Sequence, residues 1–100
     1  MYFLKLSGFI PDHKQAEFEQ TYRYISTQMP LNCLGFNFSK DALNEGVYHF
    51  IAYWPVLKML QSFTTSVPFV ILNGAFKTLG SLYEESTGEI LQLKSVHESV

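Results

Sequence analysis

One hundred residues suffice for a single domain, spanning 1–100, and a chain this short buries only part of its apolar surface. Yet 47% of the residues are hydrophobic and 16% aromatic, while only 16% are charged, against about 25% in an average soluble domain. With a net charge of −2 and Arg23 as the single arginine, the chain lacks both the basic stripe of a nucleic-acid binder and the guanidinium forks of a phosphate site.

Cys33 stands alone, so neither an intrachain disulfide nor a thiolate zinc cluster is available. No uninterrupted apolar run approaches the length of a membrane span, and the first residues carry no basic leader. A cytoplasmic protein with no metal, no nucleic-acid partner and no membrane partner is expected. Surplus apolar surface on so small a domain points to burial against a partner.

Tyr2 to Leu6 is short, aromatic and aliphatic, and predicts a first strand ending at Ser7-Gly8. Asp12 as N-cap, with Gln15 three residues on, has the pattern of a capping box. Phe18, Tyr22, Ile25 and Met29 then fall on one helical face, Glu19 and Arg23 form an i, i+4 pair, and Pro30 closes the helix.

Leu34, Phe36 and Phe38 alternate with Gly35, Asn37 and Ser39, predicting a second strand with one apolar face. After a turn at Asp41–Gly46 comes Val47 to Trp54, the most informative stretch. Tyr48, Phe50, Ala52 and Trp54 are apolar on one side, and so are Val47, Ile51 and Tyr53 on the other, with His49 as the polar exception. A strand apolar on both faces needs cover on both.

Pro55 suits the first position of a second helix carrying Leu57, Leu60 and Phe63. Beyond Ser66, Pro68 and the positions Phe69, Leu72, Phe76 and Leu79 fit a helix closed by Gly80. Asn73-Gly74 equally suits a hairpin turn, so the pattern leaves both readings open. A turn at Thr87-Gly88 and a last strand at Ile90–Val96 complete the expectation, with Glu84-Glu85 as a solvated charge run.

The order β-α-β-β-α-(α)-β predicts an α+β fold: a ferredoxin-like split βαβ sheet with helices on one face. The uncovered face, with Val47, His49, Ile51 and Tyr53 as interface candidates, calls for a second copy of the chain, pairing as a dimeric α+β barrel. Each large side chain left wet instead would forgo roughly 1.5–3 kcal/mol.

Taken together, Pro30-Leu31-Asn32-Cys33-Leu34-Gly35-Phe36, the aromatic strand ending in Trp54, and Ser66-Val67-Pro68-Phe69 with the helix closing at Leu79-Gly80 resemble the antibiotic biosynthesis monooxygenase-like family. The resemblance covers nearly the whole chain on loose, mainly structural motifs. It implies a homodimeric α+β barrel with a ligand cleft between sheet and helices in each subunit, and it favours helix over hairpin at Pro68–Leu79.

It also implies residues that are missing. In quinol-oxidising members an asparagine four residues before the strand-end tryptophan orients the substrate; here that position is Phe50. A tyrosine six residues after the tryptophan is Leu60, and a later arginine is replaced by Asn73 or Gly74. The tryptophan and histidine of heme-degrading members correspond to Phe63 and Asn73.

The cleft candidates are therefore Trp54, Tyr48, Phe50, Asn37, Phe63 and Asn73, with no catalytic residue assigned and no cofactor called for. Trp54 is either a core aromatic whose indole N–H meets a carbonyl or a ligand contact. His49 is either a hydrogen-bonded interface residue or a base inside the barrel. Two functions stay open: oxidation of a small aromatic or quinone-type molecule without a cofactor, and a non-catalytic homodimeric ligand-binding or assembly protein.

Overall fold

Alternation along Val47–Trp54 organises the molecule. In the computed structural model, which describes residues 1–92, Tyr48, Phe50, Ala52 and Trp54 are buried while Val47, His49, Ile51 and Tyr53 are half-buried. The elements run β1 (Tyr2–Phe9), α1 (Asp12–Thr27), β2 (Gly35–Lys40), β3 (Val47–Trp54), α2 (Leu57–Phe63), α3 (Val67–Leu79) and β4 (Ser81–Glu89). The strands form one antiparallel sheet in the order β2-β3-β1-β4. This is the ferredoxin-like arrangement that the element order predicts.

Leu4 and Leu6 of β1, the even positions of β3, Phe18 and Ile25 of α1, Leu60 and Phe63 of α2, and Phe69, Leu72 and Phe76 of α3 make one core. Stretch 68–79 lies within helix α3. Ser66 Oγ accepts the Phe69 N–H at 3.4 Å, Pro68 occupies the first turn, and Asn73-Gly74 falls mid-helix. Burial of an apolar stripe at helical spacing outweighs the local turn preference of Asn-Gly.

Elsewhere the structure differs from the sequence reading, beginning with β1, which continues through Ser7-Gly8 to Phe9. Pro11, not Asp12, precedes the first helical residue of α1, and no side chain caps it. The Gln15 amide instead donates to Ile10 O at 3.0 Å and Asp12 Oδ1 at 3.3 Å, leaving the Asp12 charge in the first turn, where it suits the helix dipole. Pro55 lies ahead of α2, which starts at Leu57.

The largest difference is the last strand, which is Ser81–Glu89 rather than Ile90–Val96. Ile90 to Gln92 are not in a strand, and 93–96 lie outside the described residues. A polar edge strand offers little hydrophobic alternation to read. Its Glu84 is not part of a free charge run but pairs with Lys5 at 3.4 Å, and Glu85 accepts from Asn73 Nδ2 at 3.0 Å. Gly88 makes no turn. It sits in the strand because the Phe3 ring lies over it, so that a Cβ there would come within 2.5 Å of that ring.

Between Ser7 and Gly8 the β1–β4 register shifts, so Tyr83 is the extra residue of a bulge. At the other margin Leu34 and Phe36 are more exposed than an apolar strand face predicts, at 58% and 39%. β2 is the outermost strand, and Tyr22 of α1 covers it only as far as Phe38, on which it stacks at 4.8 Å.

Candidate functional site

The strand–helix seam brings three of the cleft candidates together. Trp54 and Phe50 project from the same face of β3, and Phe63 closes over them from the last residue of α2. Ring centroids are 5.0 Å apart for Trp54–Phe63 and 6.5 Å for Phe50–Phe63. Phe69 meets Phe63 edge-on at 5.9 Å, and Phe38 tilts against Phe50 at 4.8 Å. Phe50 and Leu60, the positions at which the resemblance implies asparagine and tyrosine, are both core residues.

Trp54 is fully buried, yet its indole N–H does not find the carbonyl that a core tryptophan ordinarily finds. Among the described residues its Nε1 is the buried side-chain polar atom with no hydrogen-bond partner. An orphaned donor of this kind costs about 1–3 kcal/mol, and native structures hold few of them. One ring away, a cleft of about 220 Å³ opens at the surface, with Phe63 as the residue common to the cleft and the aromatic cluster. Pro30, Met59 and Pro68 give it apolar walls; Gln28, Asn32, Ser62 and Ser66 give it amides and hydroxyls. None of these groups ionises near neutral pH, so the cleft can bind and orient but offers no acid–base pair.

The remaining cleft candidates stand elsewhere. Asn37 pairs with Ile51 in register, which places it on the side of the sheet away from the helices, where it is exposed. Asn73 is spent on Glu85 at the β4 margin. Tyr48 lies at the far end of β3 from Trp54, a separation of roughly 20 Å at the rise of a strand.

There Tyr48 belongs to a polar cluster that the sequence does not announce. Its hydroxyl donates to Glu19 Oε2 at 2.5 Å, Lys40 Nζ reaches the same oxygen at 3.1 Å, and Arg23 approaches Oε1 at 3.8 Å. The Tyr48 bond, then Lys40, hold the Glu19 carboxyl below its ordinary range. Burial, reinforced by Glu19, pushes the Tyr48 phenol well above its own. Only the i, i+4 partner Arg23 was foreseeable from spacing.

On the helix-free face, the four interface candidates alternate as expected. His49 is hydrogen-bonded on both nitrogens: Nε2 to Asp41 Oδ2 at 2.9 Å and Nδ1 to Ser7 Oγ at 2.7 Å. Asp41 Oδ1 also accepts the backbone N–H groups of Leu43 and Asn44 at 2.9 Å each and Asn44 Nδ2 at 3.1 Å. The His49 contact, followed by the two backbone donors, holds the Asp41 carboxyl far below its ordinary range. Ser7 and Asp41 carry no periodicity that could have flagged them. No group of three or more His, Cys, Asp or Glu residues could hold a metal ion among the described residues.

Solved structures reproduce this architecture. An antibiotic biosynthesis monooxygenase-type protein of Deinococcus radiodurans superimposes with a TM-score of 0.81 over 96% of this chain and 98% of its own, at 17% identity. The fold is that of the antibiotic biosynthesis monooxygenase-like proteins. A second such protein, from Nitrosomonas europaea, has a TM-score of 0.77 at 10% identity over 92% of this chain and 100% of its own. SnoaB, a cofactor-independent oxygenase from Streptomyces nogalater, gives 0.72 at 15% identity over 92% and 95%. No family's sequence model matches the chain. No curated protein matches it in sequence either. At these identities the monooxygenase-like likeness is one of fold.

Proposed function

We propose that this protein binds a small aromatic molecule bearing a carbonyl or hydroxyl oxygen, of quinone or phenol type, in the seam between Trp54 and α2, and that it does so as a homodimer. The observation that carries the reading is the unpartnered indole N–H of Trp54, buried against the Phe63 ring and one ring from an open cleft. A ligand oxygen would supply the missing acceptor, and Phe50, Phe63 and Phe69 would supply flat apolar contact. Rotation of Phe63 would join the cleft to the indole.

The homodimer rests on the helix-free face, where Phe3, Phe9, Val47, Ile51 and Tyr53 alternate with the His49 network and none of the described helices packs. A symmetric second copy is the economical cover.

Oxidation of the bound molecule is the second reading. It draws on the fold shared with SnoaB and on the same N–H, which would stabilise negative charge developing on a phenolic oxygen. Calorimetric titration with a panel of hydroquinones and quinones, run beside oxygen uptake, separates the two readings. Binding without uptake supports a ligand-holding protein, and uptake lost in Trp54→Phe supports oxidation. No heat from any panel member, with either protein, overturns the aromatic-ligand proposal.

A further inference from the structure

The Asp41–His49–Ser7 chain spans three elements on the face assigned above to self-association: the β2–β3 turn, β3 and β1. Ionised Asp41 can only accept, so the hydrogen it shares with His49 sits on Nε2. In the neutral ring Nδ1 is then the lone-pair nitrogen, and the Ser7 hydroxyl donates to it. Both bonds survive protonation, but the second reverses. Nδ1–H would donate to Ser7 Oγ, and the serine hydrogen would need another acceptor.

Ser7 is fully buried, away from bulk solvent, so a neighbouring protein group is the nearest new acceptor. The residue opposite it on β4 is Glu84, on the same face, whose carboxylate already holds Lys5 at 3.4 Å and Ser86 Oγ at 3.3 Å. A proton on His49 thus has two consequences. It cancels the Asp41 charge, and it turns Ser7 towards Glu84, extending the network across the sheet to Lys5.

The other groups facing His49 do not compete for that proton. Ser39 is its register partner on β2, Asn37 lies one pair along, and Val47 and Ile51 flank it on β3. Tyr53 is four residues away along β3. At the end of β2 Lys40 is engaged by Glu19, and in the turn Glu45 is exposed. The helices pack on the opposite side.

We infer that His49 is a proton-sensitive latch on self-association. A second copy laid over this face strips water from Asp41, an unneutralised carboxylate is costly to desolvate, and a protonated His49 removes that cost. Association and proton uptake are therefore linked, and the pair tightens as pH falls. This inference rests on the homodimer proposed above.

Sedimentation equilibrium of the full chain at about pH 8 and about pH 5.5 tests it, with an expected tightening of the dimer of about tenfold at the lower pH. The chain's modest net negative charge also shrinks on acidification, and that effect is shared by His49→Gln, so the difference between wild type and variant is the readout. Equal pH dependence in the two overturns the latch and leaves the dimer standing. Monomers at every pH overturn both. Should His49→Gln fail to fold, dilution calorimetry of the wild type in buffers of different ionisation enthalpy decides the matter. Net proton uptake on association supports the latch, and none overturns it.

Discussion

Tyr48 donates its phenolic hydrogen to Glu19 across the seam between β3 and α1, a 2.5 Å bond between residues 29 positions apart in sequence. One partner is an almost fully buried ring and the other a partly exposed carboxylate that also gathers Lys40 and Arg23. The bond ties the first helix to the sheet where the core ends.

Tyr48→Phe keeps the ring and deletes the donor. Hydrogen bonds to charged groups contribute about 1.5–3 kcal/mol, and Glu19 can recover some of this from water, so a loss at the lower end of that range is expected. Urea denaturation with an unchanged slope would register it as a shift in midpoint alone.

Glu19 and Asp41 both have carboxyls held below their ordinary range. The unfolded chain therefore binds more protons than the folded one in acid. The stabilisation is complete above the unfolded carboxylate range of about 3.9–4.3 and is lost as pH falls through the lower folded values. Midpoints measured from pH 7 down to about pH 2 should drop below about pH 4, and Asp41→Asn should flatten that drop.

Two glycines six positions apart should respond to alanine with opposite signs. Gly74 sits inside α3 with nothing within 4 Å of an added Cβ, so Gly74→Ala should stabilise by about 0.5–1 kcal/mol. Gly80 lies against β1, where a Cβ would stand 1.9 Å from the backbone oxygen of Phe9. Gly80→Ala forces the end of α3 off that strand and should cost about 1–3 kcal/mol or more. Thermal melts of the two variants check both.

Legibility in the sequence followed the kind of interaction at stake. β3 and the apolar stripes of α1 and α3 could be read because burial imposes a period on the chain. β4 could not, because its strand is secured by partners distant in sequence: Lys5 for Glu84, Asn73 for Glu85, and the Phe3 ring over Gly88. The site divided in the same way. The inward placement of Trp54, Phe50 and Phe63 could be read from parity and helical spacing, whereas Ser7 and Asp41 reach His49 through register and a turn, which leave no periodic mark.

Trp54 is the chain's only tryptophan, and it is fully buried beside Phe63 in the aromatic seam. The protein therefore carries a single indole fluorophore, beside six tyrosines, at the spot proposed above for the ligand. Its emission should be blue-shifted while the seam is dry, and it should redden if solvent enters. An electron-poor ring arriving beside it should quench it, so the untouched wild-type chain can report its own loading without a label.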